Sequence, residues 1–229
     1  MAIFKISIII PVLNETEIIN QSLQHLNKII HAHNCEVIVV DGNLTGNTIQ
    51  SITVNNTKKI SSPQGRGAQM NVGAKCASGS ILLFLHADTL LPAKAMNHVI
   101  ATCNDPGVVG GAFDLGIDSN RFLFRITEQY VFLRSRMTKI PYGDQAIFLK
   151  KEIFDRMGGF NNIPIMEDID LMRRIKHHGY KIHFIPEPVK TSPRRWETEG
   201  VLYSTVRNII LSSLFYCGIS PNRLKKWYK

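Results

Sequence analysis

A chain of 229 residues with 44% hydrophobic content carries enough apolar material for a full core. Aromatics at 8%, with no low-complexity tract and no repeat, exclude a disordered, fibrous or solenoid protein. A formal charge of +9 points to an anionic partner but does not choose among nucleic acid, a membrane surface and a phosphorylated small molecule.

The opening MAIFKISIIIPVLNE shows no small-residue cleavage pattern and reads as a first strand over residues 6–12. Ile19, Leu23, Leu26 and Ile30 then recur at helical spacing as far as His33. CEVIVVDG is a second strand, GNLTGN a polar turn before a short helix, and KKISS a weak edge strand. AQMNVGAKCA suits a helix, and ILLFLHAD is a third strand. These strands are continuously apolar rather than alternating, which implies a parallel sheet covered on both faces, hence an α/β fold. After Pro92 a helix runs to about Cys103, followed by the Gly-rich VVGGAFDLGI and a helix over 121–136. Then come GDQAIFLKKEIF, GGF, a helix opened by MEDIDLMRRIKHHG, a short strand KIHFI, and a final apolar helix before a basic tail. No linker divides the chain, so a single domain spans 1–229. Cys35, Cys76, Cys103 and Cys217 make no CxxC pair, which argues against a zinc site or disulfide framework and for the cytoplasm.

In such sheets ligands bind beyond the carboxyl ends of the strands, and those ends are loaded: Asn14 and Glu15 after the first, Asp41 after the second, His86 and Asp88 after the third. Each alone is as readily a helix cap or an Asx turn. Glu167 and Asp168 open a helix, where the dipole favours negative charge and capping is again the alternative. In PQGRGAQMN, Arg66 stands between two glycines at a helix mouth and suits a phosphate. The dinucleotide fingerprint fails there, because Met70 stands where its third glycine belongs and no convincing strand precedes it.

Taken in order, PVLNE, VVDG, LLFLHAD, GDQ, GGF and MEDIDL resemble the motifs of family 2 glycosyltransferases over nearly the whole chain. The likeness is strongest to small bacterial single-domain members with HADT and TSPRRW, here 86–89 and 191–196. That resemblance implies a GT-A fold, with a Rossmann-like, mostly parallel central sheet flanked by helices and a smaller acceptor-binding half. The nucleotide-binding half would cover about 1–105, the acceptor and catalytic half about 106–200, and an apolar helix with the basic tail 201–229. It implies inverting transfer of a sugar from a nucleotide-sugar donor to an acceptor, assisted by a divalent cation, Mn2+ or Mg2+. Asp88 would hold the cation. His86 replaces the first acid of the usual Asp-x-Asp, and imidazole suits manganese better than magnesium, so it either joins the metal or hydrogen-bonds the donor. By the same resemblance Pro11, Asn14, Glu15 and Asp41 meet the nucleoside. Arg66 suits its phosphate or base. Asp168 is the general base beside Glu167, and Asp144 lies near the acceptor. Arg194, Arg195 and Trp196 resemble the end of a loop that closes over the site in processive members, with arginine for diphosphate and indole for sugar.

Two other classes compete. A nucleotidyltransferase would place a glycine-rich basic loop after the first strand, where this chain has PVLNE. A basic binding module for RNA or membrane fits the charge, but Asp41, Asp88 and Asp168 would repel phosphate without a metal, so no nucleic acid is expected. His177 and His178 are expected in solvent, and His183 is a remote candidate for the metal. Near the end, Leu202, Val206, Ile209, Ile210 and Leu214 form an apolar stripe interrupted by Arg207 and Asn208. Spanning a bilayer takes about 20 apolar residues, and 209–219 is too short. The stripe either docks on the domain's own core or lies, with Trp227, Tyr228 and the nearby lysines, on an anionic membrane at its inner face, serving a lipid-linked acceptor. Residues after Ser220 are expected to be dispensable for soluble donor hydrolysis.

Overall fold

The structure is a computed structural model describing residues 4–228. Its first half repeats strand and helix: β1 (Ile6–Val12), α1 (Ile19–Ile30), β2 (Cys35–Asp41), α2 (Asn47–Ser51), β3 (Thr57–Ser61), α3 (Arg66–Cys76) and β4 (Ile81–Phe84). There follow β5 (Thr89–Leu90), α4 (Ala95–Asn104), β6 (Val108–Ile117), α5 (Phe122–Thr138), a 3-10 turn (Gly143–Gln145), β7 (Phe148–Lys150), α6 (Lys151–Arg156) and α7 (Glu167–His177). β8 (Lys181–Thr191), α8 (Arg194–Glu199), α9 (Val201–Tyr216) and α10 (Pro221–Trp227) complete it.

One sheet carries the order β3-β2-β1-β4-β7-β6-β8-β5. Pairing is parallel from β3 through β4 and between β6 and β8, and antiparallel where β7 and β5 join. The pleat of each strand sends successive side chains to two cores. Ile8, Ile10, Val39 and Leu83 face one layer with α1, α4 and α5, while Ile9, Ile38, Val40 and Phe84 face the other with α3, α7 and α9. That two-sided burial is why the strands read as unbroken apolar runs. From β1 the chain builds outward through β2 and β3 on one side and β4 on the other, so the crevice at the carboxyl ends of β1 and β4 is a topological switch point. This is the mostly parallel GT-A arrangement expected from the resemblance.

Four local expectations are corrected. VVGGAFDLGI, read from the sequence only as a Gly-rich segment, is the ten-residue strand β6. Its glycines are there because a Cβ at Gly110 or Gly111 would run into the carbonyl of Phe148 or His183, so the close packing that needs strand geometry erased the strand's sequence signal. The short KIHFI strand is the first part of β8, eleven residues long. Phe113 pairs with Ile185 but Asp114 with Pro188, so the bulge absorbs Pro186 and lets the strand continue through two prolines. A strand, β3, does precede the Arg66 helix, pairing in parallel with β2. Finally, most of the stripe on α9 is not a core face: Leu202, Val206 and Ile210 are exposed, Ile209 is half-buried and only Leu214 packs against the second core, while Val201, Ser204, Arg207, Leu211 and Phe215 are buried. Arg207 tolerates burial because Glu199 pairs with it at 2.5 Å and the rings of Tyr203 and Tyr228 lie over its guanidinium.

The tail is not an appendage. Leu224 on α10 is completely buried in the second core, so a cut after Ser220 removes core, contrary to the expected dispensability. Among the described residues no helix is long and apolar enough to cross a membrane.

Candidate active site

Five side chains from four segments meet at the carboxyl end of β4: Arg66 at the start of α3, His86 after β4, Asp144 in the 3-10 turn, and Glu167 and Asp168 in the first turn of α7. A narrow recess with about 10 Å³ of free volume lies among Arg66, Phe84, His86, Gly143, Phe160, Glu167 and Asp168. That is room for about one water, so a donor would have to lie over this recess or open it rather than sit inside it.

Asp168 is held at both oxygens. Gly143 N–H donates to Oδ2 at 2.5 Å and Ile169 N–H donates to Oδ1 at 2.8 Å. Glu167 is buried at its side, 3.6 Å from the Arg66 guanidinium, and its Oε1 has no hydrogen-bond partner among the described residues. Burial, then the Asp168 charge, raises its pKa to about 7 against the pull of Arg66. Asp144 is raised to about 6, chiefly by burial, with Arg134 opposing and Asp168 adding to the shift, and its Oδ1 is likewise unpartnered. Burial would lower the Arg66 pKa, but Glu167, Asp168, Tyr228 and Asp144 together hold it above its usual value. His86 is pushed down to about 3 by burial and by the charges of Arg66 and Arg195, which makes it a neutral imidazole.

Strain marks the same loops. Of five non-glycine residues with left-handed backbone among those described, Asn14 lies in PVLNE, Ala146 follows GDQ and Met166 precedes Glu167.

On the β1–β2 side the expected nucleoside contacts form a network of their own. Asp41 is fully buried at the end of β2, with Oδ1 accepting from Asn43 N–H and Oδ2 from the N–H groups of Thr48 and Ile49, so its carboxylate holds the 41–49 loop. Asn14 Oδ1 accepts from the side-chain amides of Asn43 and Asn47, which leaves its exposed edge over that loop. Pro11 is half-buried within β1, opposite Val40. Glu15 reaches the far end of the chain: Arg194 Nη2 donates to its Oε2 at 3.1 Å. Arg195 pairs with Glu199 at 3.4 Å and lies over Tyr228. Trp196 is half-buried, edge-on to Phe124 with centroids 6.2 Å apart, so its indole is engaged in packing. These three form helix α8, not a surface loop. Asp88 is half-buried with no ion pair among the described residues, and its carbonyl accepts from Ser192 N–H, which ties the third strand's loop to TSPRRW. His177 and His178 are exposed, as expected, and His183 lines a separate groove with His98 and Asp105.

Sequence reasoning missed the residues that hold these groups in place. Gln145 is wholly buried; its Oε1 accepts from Ser135, Arg134 and Tyr142 N–H, and its Nε2 donates to Phe113 O, which fixes the GDQ turn. Arg134 lies 3.3 Å over the Tyr142 ring. Gln69 Nε2 donates to both Val12 O and Val40 O at 2.8 Å, clipping together the ends of β1 and β2. A buried glutamine in a motif otherwise read for its acid was the only available signal.

Among the described residues no three His, Cys, Asp or Glu side chains cluster to enclose a metal by themselves. A cation bound by one carboxylate and substrate phosphates needs no such cage. Asp88, uncommitted to an ion pair, and the neutral His86 fit that shared arrangement.

Comparison with known proteins gives the family and the fold. The family model "Glycosyl transferase family 2" matches residues 7–163, from β1 to just short of Glu167. The probable glycosyltransferase YdaM of Bacillus subtilis (strain 168) is 26% identical over 220 residues, covering 84% of this chain and 52% of that protein. The chain thus spans about half the length of the curated relative it matches. Among solved structures, a mannosyltransferase from Pyrobaculum calidifontis in complex with GDP-Man and Mn2+ superposes with a TM-score of 0.65 at 23% identity, over 82% of this chain and 56% of that one. Glucosyl-3-phosphoglycerate synthase from Mycobacterium tuberculosis, with Mn2+, UDP and phosphoglyceric acid, gives 0.66 at 17% identity over 94% and 79%. These two share the fold. Since the family match takes in the switch-point strands, the HAD loop and the GDQ turn together, this chain belongs to glycosyl transferase family 2.

Proposed function

We propose that the protein transfers a sugar from a nucleoside-diphosphate donor to an acceptor hydroxyl with inversion, and that Asp168 is the general base. The observation that carries this reading is the Gly143 N–H fixed on Asp168 Oδ2 beside the recess, which aims a carboxylate while leaving each oxygen a lone pair. Asp168 takes the acceptor's proton as its oxygen attacks the anomeric carbon, and the nucleoside diphosphate departs from the opposite face. Arg66, with Arg195, whose charge also reaches His86, and Arg194 beside Glu15, supplies positive charge for that leaving group. Glu167 and Asp144, with pKa values of about 7 and 6, border the base and limit negative charge near it by holding protons more tightly than ordinary carboxyls. Asn14, Pro11 and Glu15 border the nucleoside side, and Asp41 acts through the loop it holds. Trp196 serves the site by packing α8 onto Phe124.

Asp88, with His86 two residues before it, would hold a divalent cation whose chemistry is to neutralise the departing diphosphate. Two fold neighbours carry Mn2+ in their complexes, which supports manganese. The proposed place of work is the cytoplasmic face of a membrane, with a lipid-linked acceptor; the basic tail and four free cysteines support that setting.

The test is a donor panel scored by released nucleoside diphosphate, with and without manganese, in the wild type and in Asp88→Asn. Donor affinity should respond to manganese in the wild type and not in the variant. An equal response in both removes Asp88 from the metal, and no turnover of any donor removes the transferase reading.

A further inference from the structure

Thirteen large hydrophobic side chains are exposed among the described residues, and eleven of them stand on α5, α9 and α10. On α5 they form one row, Phe122, Ile126, Leu133 and Met137, exposed by 76, 53, 57 and 82% at helical spacing. On α9, which packs against α5, Leu202, Val206 and Ile210 repeat on successive turns at 67, 52 and 52%. Solitary exposed apolar residues are ordinary, but two rows on adjoining helices are an interaction surface.

Charge identifies the occupant. Segments 121–139 and 201–228 carry nine lysines and arginines against one acid, Glu128. Arg125 is answered by Glu128, Arg136 by Asp114 and Arg207 by Glu199, and Arg134 is half-buried on Gln145, which leaves Arg121, Lys139, Arg223, Lys225 and Lys226 exposed and without ion pairs among the described residues. A second copy of the chain would bring the same positive face and be repelled. A nucleic acid would meet the charge but leave the leucines and isoleucines in water. An anionic lipid bilayer meets both, taking the rows into its interface and the cations at its headgroups.

We propose that the outer face of α5 and α9 docks on an anionic lipid bilayer, with α10 contributing lysines at its edge. This places the docking residues on paired helices rather than on the tail, where Tyr228 is held between Arg195 and Arg207. Resting on the transferase reading, it also explains how a lipid-linked acceptor arrives. The inner side of α5 holds the GDQ turn, through Arg134 over Tyr142 and Ser135 on Gln145, so the docking helix is also the one that supports the turn bonded to Asp168.

The test is flotation of the full chain with vesicles of phosphatidylglycerol and phosphatidylcholine, and of phosphatidylcholine alone. The wild type should float with the anionic vesicles at low salt, come off at high salt, and ignore the neutral ones. Ile126→Glu with Leu133→Glu should lower the bound fraction about tenfold or more. Val206→Glu with Ile210→Glu does the same from the second helix and covers the event that the first pair misfolds, as read by circular dichroism. Nucleoside diphosphate released from a soluble donor should stay at the wild-type rate in both. Wild type that fails to float, or variants that float equally well, overturn the docking. So does a dimer in sedimentation velocity that these variants dissolve without any vesicle binding. Flotation with no donor turnover keeps the docking and removes the transferase reading instead.

Discussion

The backbone N–H of Gly143 and the Oδ2 of Asp168, 25 positions apart in the chain, lie 2.5 Å from one another. A turn that carries one acid of the site therefore orients another. Asp168→Asn keeps an oxygen for Gly143 but loses the base. Transfer should fall by about two orders of magnitude or more, while donor affinity and melting temperature stay near wild type. Isothermal titration with the nucleoside diphosphate and steady-state rates check this, and near-normal transfer would hand the role to Asp144.

Glu167 should cost the protein stability. Its folded pKa of about 7 lies above the ordinary 4.5, so the folded state holds a proton that the unfolded chain releases first. The cost begins above pH 4.5 and grows until pH passes 7. Glu167→Gln should therefore melt higher than wild type at about pH 8, by about 2–4 °C per kcal/mol recovered, with the difference vanishing below the unfolded pKa. A lower melting temperature at that pH would show that Arg66 depends on the ion pair more than Glu167 suffers from burial.

Glu36 behaves oppositely. Burial pushes its pKa up, but hydrogen bonds from Lys58, Ser7 and Ser78 outweigh it and bring the group down to about 2. The stabilisation is complete above the ordinary 4.5 and is lost as pH falls toward 2. Glu36→Gln should be less stable than wild type at neutral pH and converge with it in acid. Urea titrations across that range decide it; parallel curves would refute the assignment.

Gln69→Leu should cost about 1–3 kcal/mol, because two buried strand carbonyls, those of Val12 and Val40, lose their shared donor. Chemical denaturation measures the loss. A neutral substitution would mean that water replaces the amide.

The half from β1 to β4 was legible because parallel strands buried on both faces write unbroken β-branched runs, as in Ile6 to Val12. The order of motifs carried the family; the acids and the histidine were found at strand and helix ends and took their roles from the resemblance, and Arg66 was found by its place between two glycines at a helix mouth. What stayed hidden was set by tertiary contact. Gly110 and Gly111 are small because neighbouring strands crowd them, and that removed the strand pattern of β6. Pro186 and Pro188 look like a strand end until the bulge between Phe113 and Asp114 absorbs Pro186 and lets Pro188 pair with Asp114. Arg207 reads as the polar interruption of an apolar stripe, yet Glu199 and two tyrosines make it the buried side of α9 and turn the stripe outward. Periodicity finds the rows on a helix, but it does not say which row meets protein.

β4 has β1 on one side and β7 on the other, and β7 is not synthesised until residues 148–150. A chain emerging from the ribosome, or one truncated near residue 105, thus carries Ile81 to Phe84 with an unpaired apolar edge. The closing contact between Arg194 and Glu15 bridges 179 positions. Assembly by such non-local pairings is slow, and the edge it leaves open is a template for other chains. The early intermediate is expected to be the aggregation-prone species, captured by chaperones until the middle of the polypeptide has arrived.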